Sequence, residues 1–81
     1  MPLPENLDET KLAECALAIL SLTMFDERSV TRAWKGMDWD LLNLLHEKGW
    51  ISDPVGKQKS VLLTEKGHHL ASEYLEKHFG A

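Results

Sequence analysis

Cysteine is nearly missing from this 81-residue chain: Cys15 stands alone, so an internal disulfide is excluded and stability has to come from packing. Such usage suits a reducing compartment. Long apolar runs are missing too. The most apolar stretch, Leu12 to Phe25, is shorter than the roughly 20 residues a bilayer helix needs. The start, MPLPENLDETK, holds neither the basic region nor the apolar core of an export signal. These absences together lead us to expect a cytoplasmic protein with no membrane partner. Positive charge is in short supply: 9 Lys and Arg face 13 Asp and Glu, a net charge of −4. That balance opposes strong, non-specific attraction to phosphates.

Signatures of catalysis are missing as well. GxSxG, the P-loop and GxGxxG do not occur. The four histidines include no HxxxH or HExxH pair, and His68 and His69 are adjacent, which on a helix points them about 100° apart. Solvated histidines are expected rather than a metal centre. Cys15 lies in an apolar helical pattern and reads as a structural cysteine, not a nucleophile. No enzyme, metal or cofactor is therefore expected.

What is present is organised around Leu41–Gly67. Asp38 is a good N-cap, and Leu41, Leu42, Leu44 and Leu45 follow at helical spacing until Glu47-Lys48-Gly49 ends the helix. Trp50 and Ile51 open a short strand. Residues 52–56, with Pro54 and Gly56, are turn chemistry, Lys57 to Lys59 form a polar tip, and Ser60–Leu63 is the returning strand. Trp50–Asp53 and Ser60–Leu63 are thus expected to pair antiparallel. Thr64 caps a last helix reaching Phe79, with a stripe at Leu70, Ala71, Tyr74, Leu75 and His78. Gly67 costs that helix roughly 1 kcal/mol against Ala. Either a close approach of backbone requires it there, or a frayed first turn tolerates it.

The order Leu-x-x-Leu-x-Glu-Lys-Gly-Trp-Ile, charged turn, Val-Leu-Leu-Thr-Glu-Lys-Gly resembles the recognition-helix end, wing and following helix of MarR-type and PadR-type winged-helix regulators. A longer likeness runs from Arg32 to Asp40, through His46–Gly49, to Ile51–Lys57. It resembles a family of small bacterial proteins catalogued as a domain of unknown function, which implies no activity. The fold implied is mainly α with a small β-hairpin wing (α+β), a truncated winged-helix-like domain.

The rest of the chain is one domain over residues 1–81, with residues 1–6 as an extended arm. A chain of this size buries only about 60–65% of its unfolded surface. The first helix is expected from Asp8 to Phe25, capped by Asp8 or Asn6, and is apolar on nearly all sides. Its excess apolar surface points to a homodimer through Leu17, Leu22 or Met24. Residues 26–37 hold no long helical pattern. Val30 and Ala33 belong either to a strand added to the wing or to a single helical turn. Trp34 and Trp39 are expected to pack into the core, with a stacking platform for a base or ligand as the sharper alternative.

Two functional expectations follow. The first is a non-catalytic, DNA-binding, regulator-like protein in which the Asp38 helix enters the major groove. Asn43 and His46 would read bases, Lys57 and Lys59 would touch phosphates, and Arg28, Arg32 and Lys35 would reinforce the contact. Against it, Asp40 and Glu47 on the same helix repel the backbone. The second is a homodimerising protein-interaction module that does not bind nucleic acid. A pocket built around the three tryptophans ranks behind both, because no titratable residues converge in the sequence.

Overall fold

Six elements succeed one another in the computed structural model, which describes residues 6–27 and 29–80. They are α1 (Glu9–Ser21), β1 (Phe25–Glu27), β2 (Val30–Trp34), α2 (Trp39–Glu47), β3 (Ser60–Leu62) and α3 (Glu65–Phe79). The architecture is α+β, three helices with a small antiparallel sheet of order β1-β2-β3. The expected arm falls outside the described residues except for Asn6, as does Arg28.

Each helix starts where its capping residue allows. The Asp8 carboxylate accepts from the Lys11 N–H at 3.0 Å, Asp38 from Asp40 at 3.0 Å, and the Thr64 hydroxyl from Gly67 at 3.0 Å. The ends differ more from expectation. α1 stops at Ser21 rather than Phe25. The Leu22, Thr23 and Met24 N–H groups bond three residues back, to Ile19, Leu20 and Ser21, tightening the last turn. Phe25 then enters β1 opposite Arg32. Gly49, at φ 79, ends α2 in the left-handed conformation that glycine adopts without strain.

Residues 26–37 resolve in favour of the strand. β2 takes the centre of the sheet, paired with β1 on one side and with β3 on the other, where Ala33 faces Val61 and Trp34 faces Ser60. The hairpin between β1 and β2 closes at the Glu27–Val30 pair, with Ser29 at φ 71. The pairing expected between residues 50–53 and 60–63 is present and antiparallel but short. It consists of an Ile51–Leu63 bridge and the Ser52 N–H donating to Leu62 O at 2.9 Å. The Ser52 hydroxyl then accepts from the Leu62 N–H at 3.1 Å in place of a second ladder bond. Asp53-Pro54 turns the chain away, with Pro54 itself buried. The longer partner of β3 is β2.

The core sits between α1, α3, α2 and one face of the sheet. Leu17, Leu42, Leu45, Ile51 and Val61 are its largest fully enclosed side chains. Leu17 is thus a core residue of the monomer and offers no surface to a second copy, correcting its expected interface role. Met24 is half-buried against the core, and Leu22 is exposed.

Trp34 and Trp39 also correct expectation: they are 52% and 55% exposed. Alternation along a strand explains the first, because Ala33 takes the core side and Trp34 the opposite one. Trp39 opens α2, a turn before its first buried leucine, Leu42. Only Trp50 is a core indole, packed against Tyr74 with ring centroids 5.4 Å apart.

Gly67 answers its own question. A Cβ there would overlap the Trp50 carbonyl oxygen, carbon and Cα. Gly67→Ala must push α3 off the α2 terminus, and overpacking of this kind costs about 1–3 kcal/mol or more. We expect the melting temperature, followed by circular dichroism, to fall by about 4–8 °C per kcal/mol. Gly36→Ala, whose Cβ meets nothing within 4 Å, should melt close to the parent and serves as control.

Candidate nucleic-acid interface

A basic edge forms where the end of β2 meets the loop before β3. The Arg32 guanidinium donates to Ser60 Oγ at 2.7 Å, to the Ser60 carbonyl at 3.0 Å and to Gln58 Oε1. All three acceptors are neutral, so these bonds fix the guanidinium without cancelling its charge. The Lys35 N–H donates to the Lys59 carbonyl at 2.8 Å, extending the β2–β3 ladder by one rung. Lys35 Nζ reaches the Gly56 carbonyl at 3.4 Å and lies 5.7 Å from the Trp39 ring centroid.

Arg32, Lys35 and Lys57 line one shallow surface depression together with Asp53, three cations against one carboxylate. Asp53 is turned to the backbone, accepting from the Val55 N–H at 2.9 Å. Lys59 is exposed and joined to this edge through its backbone. Four of the expected contact residues, far apart in sequence, are therefore gathered. Asn43 and His46 are exposed on α2 and do not line the depression. His46 Nδ1 lies 3.2 Å from the Ile51 carbonyl, which can only accept, so that nitrogen carries the proton and Nε2 is left for other contacts.

A second polar cluster was not legible in the sequence. Glu14 on α1 is buried, and its Oε1 receives Lys77 Nζ at 3.0 Å and His78 Nε2 at 2.8 Å from α3. The hydrogen bonds from His78 and then Lys77 hold the Glu14 carboxyl below its usual range. The hydrogen bond and charge of Glu14 raise Lys77 above its own. The available signal was a lone acid on the inner stripe of an apolar helix, which demands a partner when buried. Elsewhere His69 and Glu73 approach to 3.9 Å on the α3 surface, and Cys15 is half-buried. No group of three or more His, Cys, Asp or Glu side chains suited to a metal ion occurs among the described residues. No helix among them is long and apolar enough to cross a membrane.

The model of a family described as a domain of unknown function (DUF6429) matches residues 8–81. The chain belongs to this family. It is 44% identical over 74 residues to "Uncharacterized protein y4hR" of Sinorhizobium fredii (strain NBRC 101917 / NGR234), a match spanning 91% of this chain and 96% of that one. No solved structure matches.

The α1–α3 clasp has a pH signature. A carboxyl whose folded pKa is depressed stabilises the fold above its unfolded pKa, and that contribution is lost as pH falls through the folded value. Urea midpoints measured from about pH 6 down to about pH 3 should drop for the parent. They should drop less steeply for Glu14→Gln, which starts lower because Lys77 and His78 lose their anion.

Proposed function

We propose that this family member is a non-catalytic nucleic-acid-binding protein whose contact surface is the basic edge formed by β2 and the loop at residues 53–59. The observation that carries the reading is the meeting of Arg32, Lys35 and Lys57 at one depression, with Lys59 beside them, on a chain of net charge −4. Local concentration of positive charge against an acidic background is what phosphate attraction requires. The loop stands in the place of a wing, between α2 and α3. A helix-turn-helix pair is not formed among the described residues, since the β1–β2 hairpin occupies the chain between α1 and α2. We therefore place the contact on the sheet and loop rather than on Asn43 and His46. The titratable side chains that do meet, Glu14, Lys77 and His78, are hydrogen-bonded to one another across two helices, which suits structure better than catalysis.

The test is salt dependence. Neutralising three or four duplex phosphates should weaken binding about 40- to 150-fold between roughly 50 and 200 mM salt. Lys57→Glu/Lys59→Glu should weaken binding at every sequence and flatten the salt slope by about two. Absence of binding at low salt to any nucleic acid would end the reading.

A second reading, self-association, is favoured by Ile19 and Leu22, which stand 50% and 68% exposed on α1 and its C-cap. Sedimentation at micromolar concentration should then show a dimer that Leu22→Glu dissociates. A parent that sediments only as a monomer excludes it.

A further inference from the structure

The sheet has two faces, and the helices use only one. Ala33 and Val61, opposite one another in the β2–β3 ladder, are enclosed in the core. Strand alternation puts Arg32 and Trp34 on the other side, and their partners Phe25, Leu62 and Ser60 share that face, because directly paired residues point the same way. The face is uncovered: Trp34 is 52% and Val30 42% exposed. Phe25 and Trp34 lie with ring centroids 5.1 Å apart and planes 32° from parallel, forming a broad aromatic step. Arg32 sits two residues from Trp34, about 7 Å along the strand. The depression containing Arg32, Lys35 and Lys57 opens beside Ser60 and Leu62 of the same sheet. Trp39 adds a second exposed ring, held by Lys35. The hairpin end, where Glu27 pairs with Val30, lies away from Trp34 and Ser60.

From this juxtaposition we infer that the outer face of the sheet is a stacking platform for single-stranded DNA, with unpaired bases on Trp34 and Phe25 and the strand's phosphates along Arg32, Lys35, Lys57 and Lys59. The inference deepens the nucleic-acid reading and rests on it. A duplex hides base faces in its own stack, so exposed rings gain nothing from it. A single strand offers rings to rings and charge to charge. Charge complementarity selects a polyanion over an apolar partner for this face. Arg32 and Ser60, the polar side chains beside Trp34 on this face, are engaged with one another and with Gln58, so neither is set aside to read a 2′-hydroxyl.

The experiment titrates the full chain, at low salt, with an oligothymidine of about 15 nucleotides, with a duplex of equal length and with the matching oligouridine. It follows tryptophan quenching and the anisotropy of labelled strands. Oligothymidine should quench emission and bind more tightly than duplex. Trp34→Ala should weaken that binding about 5- to 150-fold, the range of one lost stacking contact, and Trp34→Phe should restore most of it. Circular dichroism and the emission of buried Trp50 verify that the variants fold. Duplex binding as tight as single-strand binding, unchanged in Trp34→Ala, overturns the platform while leaving the basic edge in place. Preference for oligouridine overturns the assignment to DNA. No binding of any strand removes both readings together.

Discussion

The close approach of α3 to the backbone of Trp50 is the constraint on which the remaining geometry depends. Gly49 turns the chain at φ 79, and the Trp50 N–H still reaches back to Leu45 O at 3.1 Å. The Trp50 carbonyl accepts from the Thr64 N–H at 3.0 Å, while Gly67 leaves room for that carbonyl against the helix. Thr64 works in both directions: its hydroxyl donates to Gly49 O at 2.7 Å and accepts from Gly67 N–H. Thr64 therefore ties the start of α3 to the turn that ends α2, while the Leu44, Leu45 and His46 carbonyls of α2 accept from Lys48, Trp50 and Gly49 instead of being left to water. With both ends of the 50–64 segment held together, Ile51 is set opposite Leu63 and the loop between them must project outward. That projection brings Gly56, Lys57 and Gln58 to the end of β2.

The features legible in the sequence were those whose cause is local. Asp38 and Thr64 sit as caps because their side chains reach N–H groups two or three residues on, and Gly49 stops α2 for a reason contained in its own φ. The requirement of a close approach at Gly67 was visible as a cost without its cause, since Trp50 is seventeen residues away. What could not be read was long-range choice. β3 has two candidate neighbours, and the sequence-adjacent segment 50–53 loses most of the pairing to β2 because Pro54 ends it early and has no N–H to continue a ladder. The same choice decides Trp34. In a strand beside the buried Ala33 it faces out. Among the expected contact residues, Arg32, Lys35, Lys57 and Lys59 come together through that pairing. Asn43 and His46 would serve only a groove-entering helix, and they lie apart from the depression.

The β1–β2 hairpin between α1 and α2 determines which surface is available. It widens the sheet to three strands, and the helices pack on one face of it and leave Trp34 and Val30 exposed on the other. The same pairing sets Ala33 opposite Val61 in the core and forms the exposed step of Phe25 on Trp34. Fold and surface are thus two consequences of one strand pairing.

Charge distribution then limits how any polyanion can approach. Asp8 and Glu9 lie at the start of α1, and Glu65, Glu73 and Glu76 lie on α3 among Lys66 and Lys77. Lys35, Lys57 and Lys59 gather at the loop end of the sheet, with Arg32 fixed by neutral acceptors. The exposed acids repel phosphates that the basic edge attracts. Under the proposed function a strand would be turned toward the sheet before contact, and would not wrap the protein from several sides as it wraps a uniformly basic one. Net negative charge is compatible with binding under this arrangement because the sign that matters is the one within a screening length of about 8–10 Å of the contact.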